Sequence, residues 1–424
     1  MTPAPMSPSS SHARRLAEVQ EAFRGLPERY LGAPEGFDAT YQLRLGDLGR
    51  VFEVRCTAQA ARVRVGSTAS DPDVVISTDA ETWLRLRAGE LSGLDAFGQR
   101  RLAARGQMDL ALAFEGLFRL PNGRGPLLRV HDVVPAHGVR MSVLTTGDGP
   151  DVLLLHGLGA AKTSFFDTIG PLVAAGYRVH AVDLPGFGSS AKPATAPYTA
   201  DWMARCVLGL LDGLGVRQAH LVGTSMGGRV ALEAALLAPD RVQSVVGLAP
   251  AVAFVRRGWH PVVQLLRPEL GLLPHSLRRS LVAGRLWSMF ADPDALDPAV
   301  ADVAVDEFQR TYASPGARLA FLRAARQIYL DRPFGDGGFY PRLAELRPPA
   351  LFVWGTHDPL IPAAFERHVA RWLPGAGQVV LERCGHVPQI ERSEAVAGLL
   401  LAHLDRLEQA AEAPNRAAAP ARAA

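Results

Sequence analysis

The chain has 424 residues, 48% of them hydrophobic and 21% charged, with a formal net charge of +3. At about 150 residues per domain, that length allows two or three cores, and so small a net charge gives no electrostatic case for nucleic acid. Three cysteines, Cys56, Cys206 and Cys384, cannot build a disulfide framework, and no run of about eighteen apolar residues marks a membrane span, so a cytoplasmic setting is expected.

Residues 1–16 open with Pro and Ser and read as a disordered leader. Arg14-Arg15 could begin a twin-arginine signal, but Glu18, Glu21, Arg24, Glu28 and Arg29 stand where an apolar segment should be. Leu16, Val19, Ala22 and Phe23 fall at helical spacing up to Pro27. Val51–Arg55 and Ala61–Val65 then alternate as strands do, and Asp73–Ser77 closes the set. Thr78-Asp79-Ala80-Glu81 has the pattern of a capping box and predicts a helix through Trp83 to Gly89. Two more helices are expected over about 94–103 and 108–117.

The run T-D-A-E-T-W-L-R-L-R-A-G-E-L, followed by D-A-F and A-A-R-G-Q-M-D-L-A-L-A-F, resembles the SCP2 sterol-carrier family over residues 17–120. That resemblance implies a small α+β domain with an apolar tunnel for acyl chains or sterols. Trp83, Leu94, Phe97, Leu110 and Phe114 are the residues expected near such a tunnel, and each reads equally well as ordinary core. Residues 121–129, beginning Pro121-Asn122-Gly123-Arg124-Gly125-Pro126, read as a linker.

A second domain is expected over residues 130–410. Two strands, Val130–Val134 and Val139–Thr145, precede the apolar run Asp151–Leu155, which suits a strand buried on both faces. Strand and helix then alternate through Val179–Val182, Ala200–Leu214, Ala219–Val222 and Val245–Leu248, predicting a doubly wound, mostly parallel α/β sheet. Residues of about 250–348 read as helices with no buried strand, a helical lid inserted before the strand Ala350–Trp354. The tail 411–424 reads as disordered.

Leu221-Val222-Gly223-Thr224-Ser225-Met226-Gly227-Gly228 places G-x-S-x-G between a strand and a helix, where glycines let a serine sit on a very sharp turn. A serine hydroxyl needs a base, and the base needs an acceptor to orient it. Asp358, in Gly355-Thr356-His357-Asp358, and His386, in Cys384-Gly385-His386, each follow a predicted strand and so emerge at the same sheet edge as Ser225. The backbone N–H groups of Leu158 and Met226 would form the oxyanion hole. His357 is a competing base, but adjacency to Asp358 works against triad geometry. His156 reads as shaping the oxyanion loop, Asp183 as holding a loop and Cys384 as packing. His260, His275 and His368 read as surface or insertion residues without metal-ligand spacing.

The ordered motifs H-G-L-G, D-L-P-G-F-G-S-S, G-T-S-M-G-G, G-T-H-D and C-G-H resemble the α/β-hydrolase superfamily over residues 130–405. The resemblance implies hydrolysis of a carboxylic ester through an acyl-enzyme, with no metal or organic cofactor. Serine in the elbow, rather than aspartate, disfavours the haloalkane-dehalogenase and epoxide-hydrolase branches. Thioester or C–C hydrolysis and cofactor-free perhydrolysis share the triad, and a lipid carrier with a vestigial hydrolase half is the alternative of another class. The expected partner is a lipophilic ester or acyl substrate, with oligomeric state left open.

Overall fold

The computed structural model describes residues 8–136, 138–255, 260–273, 277–295 and 298–417. Its contacts divide the chain into one unit of Met1–His131 with Leu144–Gly147 and another of Asp132–Val143 with Asp148–Ala424.

The first unit begins with α1 (Pro8–Arg24) and then forms β1 (Asp38–Leu45), β2 (Arg50–Thr57), β3 (Ala61–Val65) and β4 (Val74–Thr78). It continues with α2 (Ala80–Ala88), α3 (Gly93–Gly98), β5 (Leu102–Gly106) and α4 (Met108–Gly116). The strands form a five-stranded sheet in the order β3-β2-β1-β4-β5, with β1 antiparallel to β2 and parallel to β4. Alternation along β1 turns Ala39, Tyr41, Leu43 and Leu45 inward. Above them Phe23 of α1 stacks between Phe52 and Trp83, with ring centroids 3.9 and 4.4 Å away. Such rings contribute about 1.5–3 kcal/mol each by leaving water.

Four local expectations are corrected here. Helix α1 starts at Pro8, so residues 8–16 are helical rather than a disordered leader, with Arg14 and Glu18 paired one turn apart. Residues 1–7 lie outside the described residues. Residues 102–103, expected to end a helix, instead open β5, because the ladder to β4 outweighs the helix preference of Leu102-Ala103. The cap of α2 is Asp79, whose carboxylate accepts the Thr82 N–H at 2.7 Å, while Thr78 closes β4. The last helix reaches Ala417, so residues 411–417, expected in the tail, are helical. Residues 418–424 lie outside the described residues.

The second sheet comprises β6 (Leu128–Val133), β7 (Met141–Thr146), β8 (Asp151–Leu155), β9 (Arg178–Val182), β10 (Ala219–Thr224), β11 (Val242–Leu248), β12 (Ala350–Gly355) and β13 (Gly377–Leu381). Helices α5 (Phe166–Ala174), α6 (Ala200–Gly213) and α7 (Met226–Leu237) cross between its central strands. Five further helices, α8 (His260–Leu265), α9 (Arg279–Trp287), α10 (Pro298–Tyr312), α11 (Pro315–Leu330) and α12 (Phe339–Leu343), are inserted between β11 and β12. Helices α13 (Glu366–Trp372), α14 (Pro388–Glu391) and α15 (Ser393–Ala417) complete the chain.

The strand order is β13-β12-β11-β10-β8-β9-β7-β6, and every pairing from β13 to β9 is parallel. The chain leaves β8 toward β9 on one side and returns through α6 to β10 on the other. The carboxyl ends of β8 and β10 therefore flank the point where the winding reverses, which opens a crevice in a sheet of this kind.

Candidate active site

Ser225 occupies that crevice, with φ +52° and ψ −115°. Few L-residues adopt such a conformation, and it survives only where the surroundings enforce it. The Ser225 N–H donates to the Leu248 carbonyl, and the Ser225 carbonyl accepts from Ala251, both at 2.9 Å. Glycine is required on each side. A Cβ at Gly223 would stand 2.3 Å from the Gly227 carbonyl carbon, and one at Gly227 would stand 2.0 Å from the Leu155 oxygen.

Asp358 follows β12 and is buried. Its Oδ1 accepts the N–H groups of Leu360 and Ile361, each at 2.8 Å, which leaves Oδ2 to face His386 Nδ1 at 2.8 Å. A carboxylate can only accept, so the hydrogen-bond network assigns the imidazole proton to Nδ1. The lone pair on Nε2 is then directed at Ser225 Oγ, 2.9 Å away. The three side chains singled out by spacing and chain order thus form one hydrogen-bonded line.

Gly157 follows β8, and a Cβ added there would lie 3.4 Å from the Cβ of Ser225. Leu158 is the next residue of that turn, and Met226 is the first residue of α7. The first N–H groups of a helix have no partner within it and form its positive end. Leu158 and Met226 thus stand in the turns that follow β8 and β10.

The other residues of interest separate cleanly. His357 is exposed and its Nδ1 lies 2.9 Å from Thr356 Oγ1, away from the Ser225 line. His156 accepts the Leu184 N–H at Nε2 (3.0 Å), leaving Nδ1–H to donate to the Gly157 carbonyl (2.7 Å), and burial pushes its pKa down. It is a neutral brace for the turn after β8. The Cys384 thiol is buried and pushed up to about 12 by that burial, so it packs as a thiol. His368 packs against the rings of Tyr340 and Phe365. The side chain of His260, and all of His275, lie outside the described residues. Among the described residues, no group of three His, Cys, Asp or Glu side chains is placed to hold a metal ion.

In the first unit, Trp83, Leu110 and Phe114 belong to the core around Phe23, while Leu94 is buried and Phe97 half-buried. Trp83 Nε1 is buried without a hydrogen-bond partner among the described residues.

Two features near Ser225 escaped the sequence reading. Glu391 on α14 accepts the Gly385 N–H with Oε2 (2.6 Å) and the Ala291 and Asp292 N–H groups with Oε1 (2.7 and 3.1 Å). Together with the His386 N–H donating to the Met289 carbonyl (2.7 Å), it staples the His386 loop to the helical insertion. Its place five residues after His386 was the only available sign. The second feature is the ring pair Phe308 and Phe321, on α10 and α11, close enough to Gly159 that a Cβ there would be 2.9 Å from each. Nothing in the local spacing shows that two inserted helices meet the turn after β8.

A parallel sheet with a serine at a strained turn after its central strand, and with aspartate and histidine supplied from the next strand ends, defines an α/β hydrolase. The chain belongs to the α/β-hydrolase fold family, which residues 150–393 match, and residues 21–119 match the SCP-2 sterol transfer family. A pimeloyl-[acyl-carrier protein] methyl ester esterase of Aeromonas hydrophila is 31% identical over 60% of this chain and 95% of its own length. A 2-hydroxy-6-oxo-6-phenylhexa-2,4-dienoate hydrolase of Burkholderia cepacia is 30% identical over 62% of this chain and 90% of its own. Among solved structures, a membrane phospholipase A described as a bacterial virulence factor is 25% identical with a TM-score of 0.57, covering 78% of this chain and 94% of that one. Esterases and C–C hydrolases are thus both among its relatives.

Proposed function

We propose that this protein hydrolyses carboxylic esters of lipophilic acyl groups. The observation that carries this reading is the unbroken hydrogen-bonded line Ser225 Oγ, His386, Asp358 at a strained elbow. In the proposed route Ser225 Oγ attacks the ester carbonyl while His386 Nε2 removes its proton. Asp358 Oδ2 holds the imidazolium through Nδ1–H, and the N–H groups of Leu158 and Met226 take up the charge on the carbonyl oxygen. His386 returns the proton to the departing alkoxide, leaving an acyl-Ser225. Water, deprotonated by the same imidazole, attacks that acyl group, and collapse of the second tetrahedral intermediate releases the acid and restores Ser225. Every step is assigned to groups of this chain.

The lipophilic substrate class rests on the SCP-2 match of residues 21–119 and on the phospholipase-like neighbour, whose alignment extends over a larger share of the chain than the hydrolase match alone. In this reading residues 17–120 hold or deliver the acyl group, 121–129 link it to the hydrolase half and about 250–348 act as the lid. A cytoplasmic location fits the reduced cysteines, and no helix among the described residues is long and apolar enough to cross a membrane. Hydrolysis of a C–C bond is the second reading, favoured by the 30% identity to the dienoate hydrolase.

Fluorophosphonate labelling followed by turnover on matched esters, thioesters and vinylogous diketones tests the proposal. Labelling of Ser225 with preference for long-chain esters is expected. Preference for the diketones would replace the first reading with the second.

A further inference from the structure

Five leucines stand exposed within nine residues of the helical insertion. Leu265, Leu270 and Leu273 are 79%, 57% and 58% exposed, with Leu266 and Leu272 beside them. They are not loose ends of an incomplete core. The single turn 268–272 is seated on α11 through buried Pro268 and Gly271, where an added Cβ would press on the Arg318 carbonyl carbon at 3.0 Å. Arg318 Nε in turn donates to the Gly271 carbonyl at 2.7 Å. The backbone is bolted down and the leucines are held outward. Leu281 of α9 is exposed as well.

The charge around this face is net positive. Residues 265–273 and 277–288 contain Arg267, Arg278, Arg279 and Arg285 against the single acid Glu269, which is already paired with Arg323. Arg279 is engaged by both Asp302 and Asp306, and Arg267, Arg278 and Arg285 outweigh the one carboxylate left over. Against the same leucines opens a cavity of about 520 Å³ lined by Leu265, Leu266, Arg267, Arg323, Arg326 and Gln327 among others. Arg326, whose Nη2 donates to the Gln264 carbonyl at 3.1 Å, presents its guanidinium to that lining with Arg267. Guanidinium groups beside an open cavity suit a phosphate, which accepts charge-assisted hydrogen bonds.

We propose that residues 265–273 and 277–288 are a docking surface for an anionic phospholipid bilayer. The leucines enter the boundary between headgroups and acyl chains, the exposed arginines meet the negative surface, and the cavity beside them takes a headgroup phosphate. Apolar side chains rimmed by arginine are the chemistry that such an interface selects. Self-association through this face would set arginines of like charge against one another. The inference concerns where the protein sits and is independent of the bond that Ser225 attacks.

The test is vesicle flotation with the full-length Ser225→Ala chain, so that lipid stays intact whatever the native enzyme does to it. Vesicles of phosphatidylcholine alone are compared with vesicles carrying about one third phosphatidylglycerol. Binding to the anionic vesicles at least about tenfold tighter, weakened by salt, is expected. The variant Leu265→Ser/Leu270→Ser/Leu273→Ser, whose exposed positions leave the fold intact, should lose that binding, and Arg326→Gln should weaken it. No binding to anionic vesicles, or equal binding by the triple-leucine variant, overturns the proposal. A wild-type dimer that the triple variant converts to monomer, without vesicle binding by either, would also overturn it in favour of a second copy as the occupant.

Discussion

Lys162 Nζ lies 2.6 Å from Asp183 Oδ2 with both side chains fully out of solvent. The same carboxylate accepts the Lys162 N–H (2.7 Å) and the Ser189 N–H (2.9 Å), so one aspartate joins the segment after the β8 turn to the loop after β9. Removing one partner of a buried pair strands the other charge, at a cost of about 3–5 kcal/mol. Lys162→Met should therefore lower the thermal midpoint by about 10 °C in calorimetry. Adding Asp183→Asn should recover part of the loss, because no charge is left unpaired and the amide oxygen still accepts one of the two N–H groups, which bond to different oxygens of Asp183.

Ser225→Ala should abolish fluorophosphonate labelling and reduce ester turnover by about a million-fold. Asp358→Asn should cost less, about ten-thousand-fold, since an amide at that position can stabilise the wrong imidazole tautomer. If His357→Ala proves as damaging as His386→Ala in the same assay, the base has been misassigned.

Glu391 is a positioning residue for His386 and never touches the reacting atoms. Glu391→Gln keeps one acceptor and loses the other, so the staple to Gly385 or to Ala291 and Asp292 should open. Turnover should fall about ten- to a hundredfold with the fold retained, as expected for displacement of a base by a fraction of an ångström to 1 Å. A purely structural role would instead lower the melting temperature while leaving kcat of the folded enzyme unchanged. Circular dichroism alongside kcat separates the two.

Acid should destabilise the second unit before its carboxylates titrate. His220 is buried beside Tyr177, with Nδ1 2.8 Å from Ser244 Oγ, and burial followed by the nearby His403 pushes its pKa down to about 4. Burial also lowers the pKa of His403. The unfolded chain, with histidine near 6.5, binds these protons first, so stability falls as pH drops below about 6.5 and continues to fall to about 4. His220 alone accounts for about 3 kcal/mol across that window. Urea midpoints at pH 7.5 and 5 should differ, and His220→Asn, which cannot charge, should flatten the difference.

If residues 17–120 serve the hydrolase half by holding acyl chains, a chain lacking residues 1–120 should turn over short soluble esters nearly as well as the full protein and long-chain esters less well. The ratio of the two activities, with and without that segment, reads the effect directly. An unchanged ratio would assign the segment a role unconnected with substrate length.

What the sequence determined by itself was local and steric. Gly223, Ser225 and Gly227 announce the elbow because only glycine fits where a Cβ would stand 2.0–2.3 Å from backbone atoms. The ends of β12 and β13 bring Asp358 and His386 to the same edge because parallel strands share a direction. Tertiary structure alone decided the rest. Residues 102–106 became a strand because β4 offered them a ladder, and Asp79 displaced Thr78 as the cap because Thr78 was already committed to β4. Glu391 staples the His386 loop to residues almost a hundred positions earlier, and Lys162 finds Asp183 across a whole strand and helix. The leucines of 265–273 lie in a stretch that reads only as part of a helical lid, and their exposure is set by the seating of that turn's backbone on α11. Spacing along the chain records the requirements of neighbouring residues, whereas a distant contact depends on which surfaces the completed fold brings together.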